Sequence, residues 1–398
     1  MRSTCVALLF LVAAGCGCDN CGDKDAAGSG TVARLDDHHM LSLPVTVGNL
    51  TVWPVTTDRP LDLGEFLTLE EALAKGAAEV REVGAPLTVA PPTDQEWEDA
   101  ALAPPQEPAQ RREAAQTLQQ EAQSLPQSAN GGGAVVNTLV IENKGDLPIL
   151  VCAGTVVKGG NQDRQIGQDF VLKANSTTPV DAFCVEQGRW QSDRLGAQTG
   201  GKFEVLDGMA TAKVRAKGQY EKDQSGVWQE VAAVRTTFPM TNFGVPATNS
   251  AIGLSSSYAV AFDAVASAED LKRCEVAVKK HFAAHEGAVG FAYAINGEPV
   301  TVRTFAHPRL LGKQLDDFVR GMATEALLAK TDAPAKPCDA KDVVALVKEI
   351  SAANETVEET KGLNRNGLRR NAAGYNGNCY VPDKDGKQAT LTQDWTRR

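Results

Sequence analysis

Between Gly159 and Trp190 the chain gathers side chains suited to acid–base, anion-binding and nucleophilic chemistry. They come as Gly159-Gly160-Asn161-Gln162-Asp163-Arg164, then Cys184-Val185-Glu186-Gln187-Gly188-Arg189-Trp190. Glu186 has the chemistry of a general base or of a group that holds a sugar hydroxyl. Arg164 and Arg189 have that of bidentate anion ligands, and Gln162 adds directional amide bonds. Trp190 offers a flat surface for a sugar or a base. The glycine pair could turn backbone N–H groups toward an anion. The same residues also fit a purely structural arrangement, with Glu186 ion-paired to Arg189 or Arg164, Trp190 in the core and the glycines in a tight turn. The sequence leaves both readings open. Cys184 would act as a nucleophile only with a base, and no histidine lies near it in sequence. A thiol on a strand is more often a small buried hydrophobe.

Four other residues are candidates. Asn296-Gly297 between two alternating runs marks a two-residue type I′ hairpin. Pairing Ile295 with Glu298 sets Tyr293 opposite Val300, Phe291 opposite Val302 and Val289 opposite Thr304, a core face. The other face then sets Ala288, Gly290 and Ala292 against Thr301, Arg303 and Phe305, and small residues facing an arginine leave room for a loop or a ligand. His307 ends this hairpin on the Arg303 side, as a pocket residue or as a cap. His281 and His285 have the i, i+4 spacing of a metal pair, but the region supplies no further ligands for a tetrahedral site. The expectation is no metal and no cofactor.

These groups must be held by strands. From Val135 to Glu186 the apolar runs are short, β-branched and separated by turn residues, as in antiparallel sheet. Period-two alternation places Val180, Ala182, Cys184 and Glu186 on one face, with Gln187-Gly188 turning the chain toward Arg189. Thr68 to Gly76 reads as a short helix whose capping box is Thr68 and Glu71. Residues 205–234 read as two helices, the second carrying Val227, Trp228, Val231 and Val234. Asp223 would cap it, with Trp228 packing into the core. A further helix starts at Ser267-Ala268-Glu269-Asp270, with Leu271, Cys274, Val278 and Phe282 in register. Residues 309–330 form another.

The chain has 398 residues and a net charge of −10. No basic cluster offsets that charge, which excludes a nucleic-acid binder. Arg2, the apolar run Val6–Ala14 and Gly15-Cys16 form an export signal too short to span a bilayer. Leu11-Val12-Ala13-Ala14-Gly15-Cys16 resembles a bacterial lipobox, with Ala13 where leucine is usual. That resemblance implies lipidation of Cys16, residues 1–15 as signal peptide, and a membrane partner reached through the lipid. Residues 16–37 read as a tether. Residues 38–330 would be the main domain, carrying a Pro/Gln/Ala-rich insertion at about 85–134, and 331–398 a C-terminal extension with a helix near 339–353. Of nine cysteines, Cys5 leaves with the signal and Cys16 is the proposed anchor. The odd remainder, in an oxidising compartment, implies a free thiol or an intermolecular bond. Cys338 and Cys379 could close the extension.

Leu67–Leu73, Gly159–Arg164, Cys184–Trp190, Asp223–Val231 and His307-Pro308, in that order, resemble the ADP-ribosylglycohydrolase- and rhodanese-phosphatase-superfamily-associated protein domain. Asn161 stands where that family commonly has lysine, and Asp163 where it commonly has asparagine. The resemblance implies a β-rich domain associated with ADP-ribose chemistry, its activity not established. The expected architecture is α+β, an antiparallel core with flanking helices and a small C-terminal extension. Two functions follow as expectations. The first is binding, with possible hydrolysis, of a small polar ligand such as ADP-ribose or a sugar nucleotide, through Gln162, Arg164, Glu186, Arg189, Trp190, Arg303 and His307. The second is a non-catalytic cell-envelope module for protein or polysaccharide.

Overall fold

The computed structural model describes residues 31–82, 138–187, 193–194, 197–237, 257–266, 268–331, 334 and 336–398. Cys16, Arg189, Trp190 and the 85–134 insertion therefore lie outside the described residues. The fold is α+β and rich in antiparallel strand, as the alternation predicts.

A ten-stranded sheet is built around the hairpin of Ala288–Ile295 and Glu298–Phe305. Asn296 (φ 54°) and Gly297 (φ 83°) turn it, both in the left-handed region a type I′ turn requires. The register differs from the expected one beyond the turn. Ala294 pairs with Pro299 but Tyr293 pairs with Thr301, so Val300 is the extra residue of a bulge. Pro299 has no N–H to give the ladder, which favours an irregularity there. The slip moves Arg303 opposite Phe291, onto the aromatic face, instead of opposite small residues.

That face packs against the helix Pro308–Leu328, whose Phe318 meets Phe291 and Phe305 at ring separations of 5.1 and 6.2 Å. The opposite face carries Trp53, Val302 and Trp395 against Val343, Leu346 and Ile350 of the helix Ala340–Ser351. Burying an aromatic ring such as Phe291 stabilises by about 3–5 kcal/mol relative to alanine.

The chain after 331 keeps its expected helix, and the remainder of this C-terminal extension supplies four strands to the ten-stranded sheet. Gln388–Arg397 pairs with Glu298–Phe305, and Gly374–Pro382 and Arg365–Arg370 follow in the same sheet. Buried positions on both of their faces are polar: Asn376, Asn378, Thr392, Asp394 and Thr396. Cys379 packs into the aromatic core and Cys338 against the Trp53 side, so the two are on opposite faces of the sheet and do not close the segment.

A six-stranded sheet holds Phe203–Met209, Thr155–Gly159, Arg164–Ile166, Ser176–Cys184, Thr138–Asn143 and Ala78–Glu82 in that order. Residues 205–209 are thus strand where helix was expected; the helices are Ala212–Gln219 and Gln224–Thr237. The capping box at Thr68 and Glu71 is present in both directions, and Gly76 follows at φ 64°. The helix Glu269–Ala283 buries Leu271, Val278 and Phe282.

Candidate functional site

The turn after Thr155–Gly159 is fixed by its glycines. Gly159 (φ 136°) and Gly160 (φ 50°) take conformations that side chains resist. A Cβ on Gly160 would fall 2.2 Å from the Phe203 ring, and one on Gly159 2.1 Å from the Lys202 carbonyl. Their N–H groups are used inside the fold: Gly159 donates to Asp163 Oδ1 (3.0 Å) and Gly160 to the Lys202 carbonyl (3.0 Å). The glycines therefore build a packed turn and not an anion nest.

This turn delivers Gln162, Asp163 and Arg164 into one cluster with the end of the strand Ser176–Cys184. Arg164 is directly paired with Cys184. Its Nη1 donates to Gln162 Oε1 (2.7 Å) and to Cys184 Sγ (2.9 Å), and its Nη2 lies 3.6 Å from Glu82 Oε1. The Asp163 N–H donates to Glu186 Oε2 (3.3 Å), and Asp163 Oδ2 accepts from Ser257 Oγ. Ser257 in turn caps the helix Tyr258–Val265. Asn161, in the position of the usual lysine, donates to Glu82 through both its backbone and its side chain. Gln224 holds Cys184 from the other side, accepting from its N–H (2.8 Å) and donating to its carbonyl (2.9 Å).

The cluster is sealed. Gln162, Arg164 and Glu186 are 0%, 1% and 3% exposed. Burial pushes the Cys184 thiol up to about 11 even with Arg164 opposing the shift, which leaves it protonated near neutral pH. Gln162 Nε2 and Arg164 Nε are buried with no hydrogen-bond acceptor. Glu82 and Ser257 were invisible to sequence reasoning, since each is a lone polar residue brought in by tertiary pairing.

Arg303 belongs to a different cluster. Fully buried, it grips Asp169 through Nη2 (2.9 and 2.7 Å) and lies 5.4 and 5.1 Å from the Phe305 and Phe318 ring centres. Asp169 also accepts from the Ala153 N–H (2.7 Å) and the Thr392 hydroxyl. Burial works against the Asp169 carboxylate, but Arg303 and these donors outweigh it and hold the group below its ordinary range. Beside it, Arg215 Nη2 reaches Thr301, Thr396 and Asp394, while the Tyr220 hydroxyl donates to Asp394 (2.6 Å). His307 joins neither cluster: it caps the helix Pro308–Leu328, its Nδ1 accepting from the Arg309 N–H (3.2 Å). His281 Nε2 bonds the Leu43 carbonyl and His285 Nδ1 the His281 carbonyl. Among the described residues no three metal-ligating side chains stand together.

The structure thus brings together Gln162, Arg164, Cys184 and Glu186, and separates them from Arg303 and His307. The family model for the ARG and Rhodanese-Phosphatase-superfamily-associated Protein domain matches residues 38–391. No curated protein and no solved structure matches the chain. A match over most of the chain means that the chain belongs to this family.

Proposed function

We propose that this protein is an exported lipoprotein, anchored at the bacterial cell envelope through Cys16, whose family domain binds a small polar ligand of the ADP-ribose or sugar-nucleotide class beside Gln162, Arg164 and Glu186. The observation that carries the reading is the pair of buried donors without acceptors, Gln162 Nε2 and Arg164 Nε. Each such group costs about 1–3 kcal/mol, and a ligand hydroxyl or carbonyl oxygen admitted by local opening of the buried cluster would offset that cost. The family's association with ADP-ribose chemistry supplies the ligand class. Among the described residues no helix is long and apolar enough to cross a membrane, and the export signal and lipobox-like Cys16 carry the anchoring part of the proposal.

A second reading is favoured by a different observation. Glu186 and Cys184 are sealed and the thiol is pushed up to about 11, which suits a non-catalytic module that binds protein or polysaccharide without turnover. Thermal shift decides between them. Ligand at about 100 times its Kd adds about 2.7 kcal/mol, several degrees for a domain of this size. A shift with ADP-ribose that is lost in Glu186→Gln supports the first reading. No shift in the wild type, with lower stability in Glu186→Gln, removes it.

A further inference from the structure

The guanidinium expected to take an anion, Arg164, is already committed to Glu82, Gln162 and Cys184. Another arginine is not. Arg235, near the end of the helix Gln224–Thr237, is half-buried and forms no ion pair among the described residues, and its Nε is buried without an acceptor. Burial alone pushes its basicity down, with no carboxylate opposing. Arg164, Arg215, Arg303 and Arg320, by contrast, each stand within 4 Å of a carboxylate.

Two turns before Arg235, Trp228 shows the same condition. The sequence suggested a core tryptophan, yet it is only half-buried and its indole N–H has no acceptor. Gln224, Trp228 and Arg235 lie at i, i+4 and i+11, one stripe along the helix beside the buried Val227, Val231 and Val234. Gln224 bonds the Cys184 backbone in both directions, so the stripe begins at the strand end that carries Glu186. From Gln224 to Arg235 the helix rises about 16 Å, and from Trp228 to Arg235 about 10 Å.

We infer that Trp228 and Arg235 form a second arm of this ligand site, taking a nucleoside diphosphate with its ring on the indole and its phosphates on the guanidinium. The inference rests on the ligand class proposed above and moves the anion contact from Arg164 to Arg235. Arginine suits this role because its planar fork matches phosphate oxygens two at a time. A tryptophan can stack its ring on a base, and the buried Trp228 N–H, which has no acceptor, would gain one in a ribose or phosphate oxygen.

The test is equilibrium titration of the full chain with ADP-ribose, ADP, adenosine and inorganic pyrophosphate. Arg235→Gln should weaken ADP-ribose, ADP and pyrophosphate at least tenfold and leave adenosine unchanged, with Arg235→Lys recovering part of the pyrophosphate binding. Trp228→Phe should weaken every adenosine-bearing ligand several-fold and leave pyrophosphate unchanged. Without ligand, Arg235→Gln should melt no lower than the wild type, because it removes a desolvated charge that has no partner. A lowered melting temperature would make Arg235 a structural residue and overturn the inference. ADP-ribose binding that survives Arg235→Gln but not Glu186→Gln overturns it while sparing the proposed function. Pyrophosphate binding lost in Arg235→Gln, with ADP-ribose bound by neither protein, keeps the anion site and removes the ADP-ribose reading. A wild type that binds none of the four probes overturns both.

Discussion

Asp169→Asn is the sharpest perturbation of the fold that carries the site. The substitution keeps the side chain's shape but removes the charge that Arg303 grips at 2.7 and 2.9 Å in a setting with no solvent exposure of the guanidinium. The new amide would also point N–H groups at one of its former donors, Arg303, Ala153 or Thr392. Breaking a buried pair from one side costs about 3–5 kcal/mol, because the remaining charge stays desolvated. Arg303→Met should cost a comparable amount, losing in addition the contact with the Phe305 and Phe318 rings. The double variant should cost less than the sum by about 2–3 kcal/mol, since removing both charges leaves neither stranded. Urea unfolding at pH 7 reads all three. Asp169 is held below its ordinary range, so its contribution is complete above the unfolded carboxyl value of about 4 and is lost as pH falls through the folded value. The deficit of Asp169→Asn should therefore shrink only in strong acid. A cost under about 1 kcal/mol at pH 7, or strict additivity in the double variant, would refute the account of this pair.

Three further outcomes are expected. Asp317, pushed up to about 7 by burial and by Glu70, Asp207 and Asp316, penalises the folded state above the unfolded carboxyl value and most fully above pH 7. Asp317→Asn should therefore raise stability at pH 8 by about 1–3 kcal/mol and change little at pH 4, measured by urea unfolding at both values. Thr68→Ala removes one half of the capping box and should cost about 1 kcal/mol by the same assay. Cys184 should resist a thiol reagent in the native protein at pH 8 and react once urea unfolds it, read as the difference between wild type and Cys184→Ala; rapid native labelling would contradict the sealed cluster.

The parts of the fold that the sequence disclosed are those where burial is apolar and local. The hairpin turn, the Thr68 capping box and the Leu271–Phe282 stripe are each written in a few neighbouring residues. The C-terminal strands were hidden because buried positions on both of their faces are polar: Asn366, Asp394 and Thr396 meet Gln168, Tyr220 and Arg215 on one face, while Asn376 and Asn378 lie on the other. The bulge at Val300 is a one-residue slip, which inverts side-chain faces while leaving composition untouched, so Arg303 was expected on the wrong side. The site was half legible. Strand parity gives Cys184 and Glu186 a shared face, and Arg164 pairs directly with Cys184, but Glu82 and Ser257 arrive from sequence-distant segments with no motif of their own.

The central claim is that Gln162, Arg164 and Glu186 frame a ligand site. Calorimetric titration of ADP-ribose into the wild type and Glu186→Gln, with melting temperatures taken alongside, tests it most directly. The account predicts saturable binding by the wild type and at least tenfold weaker binding by the variant. Equal affinity in both proteins, or no heat of binding in the wild type, would contradict it.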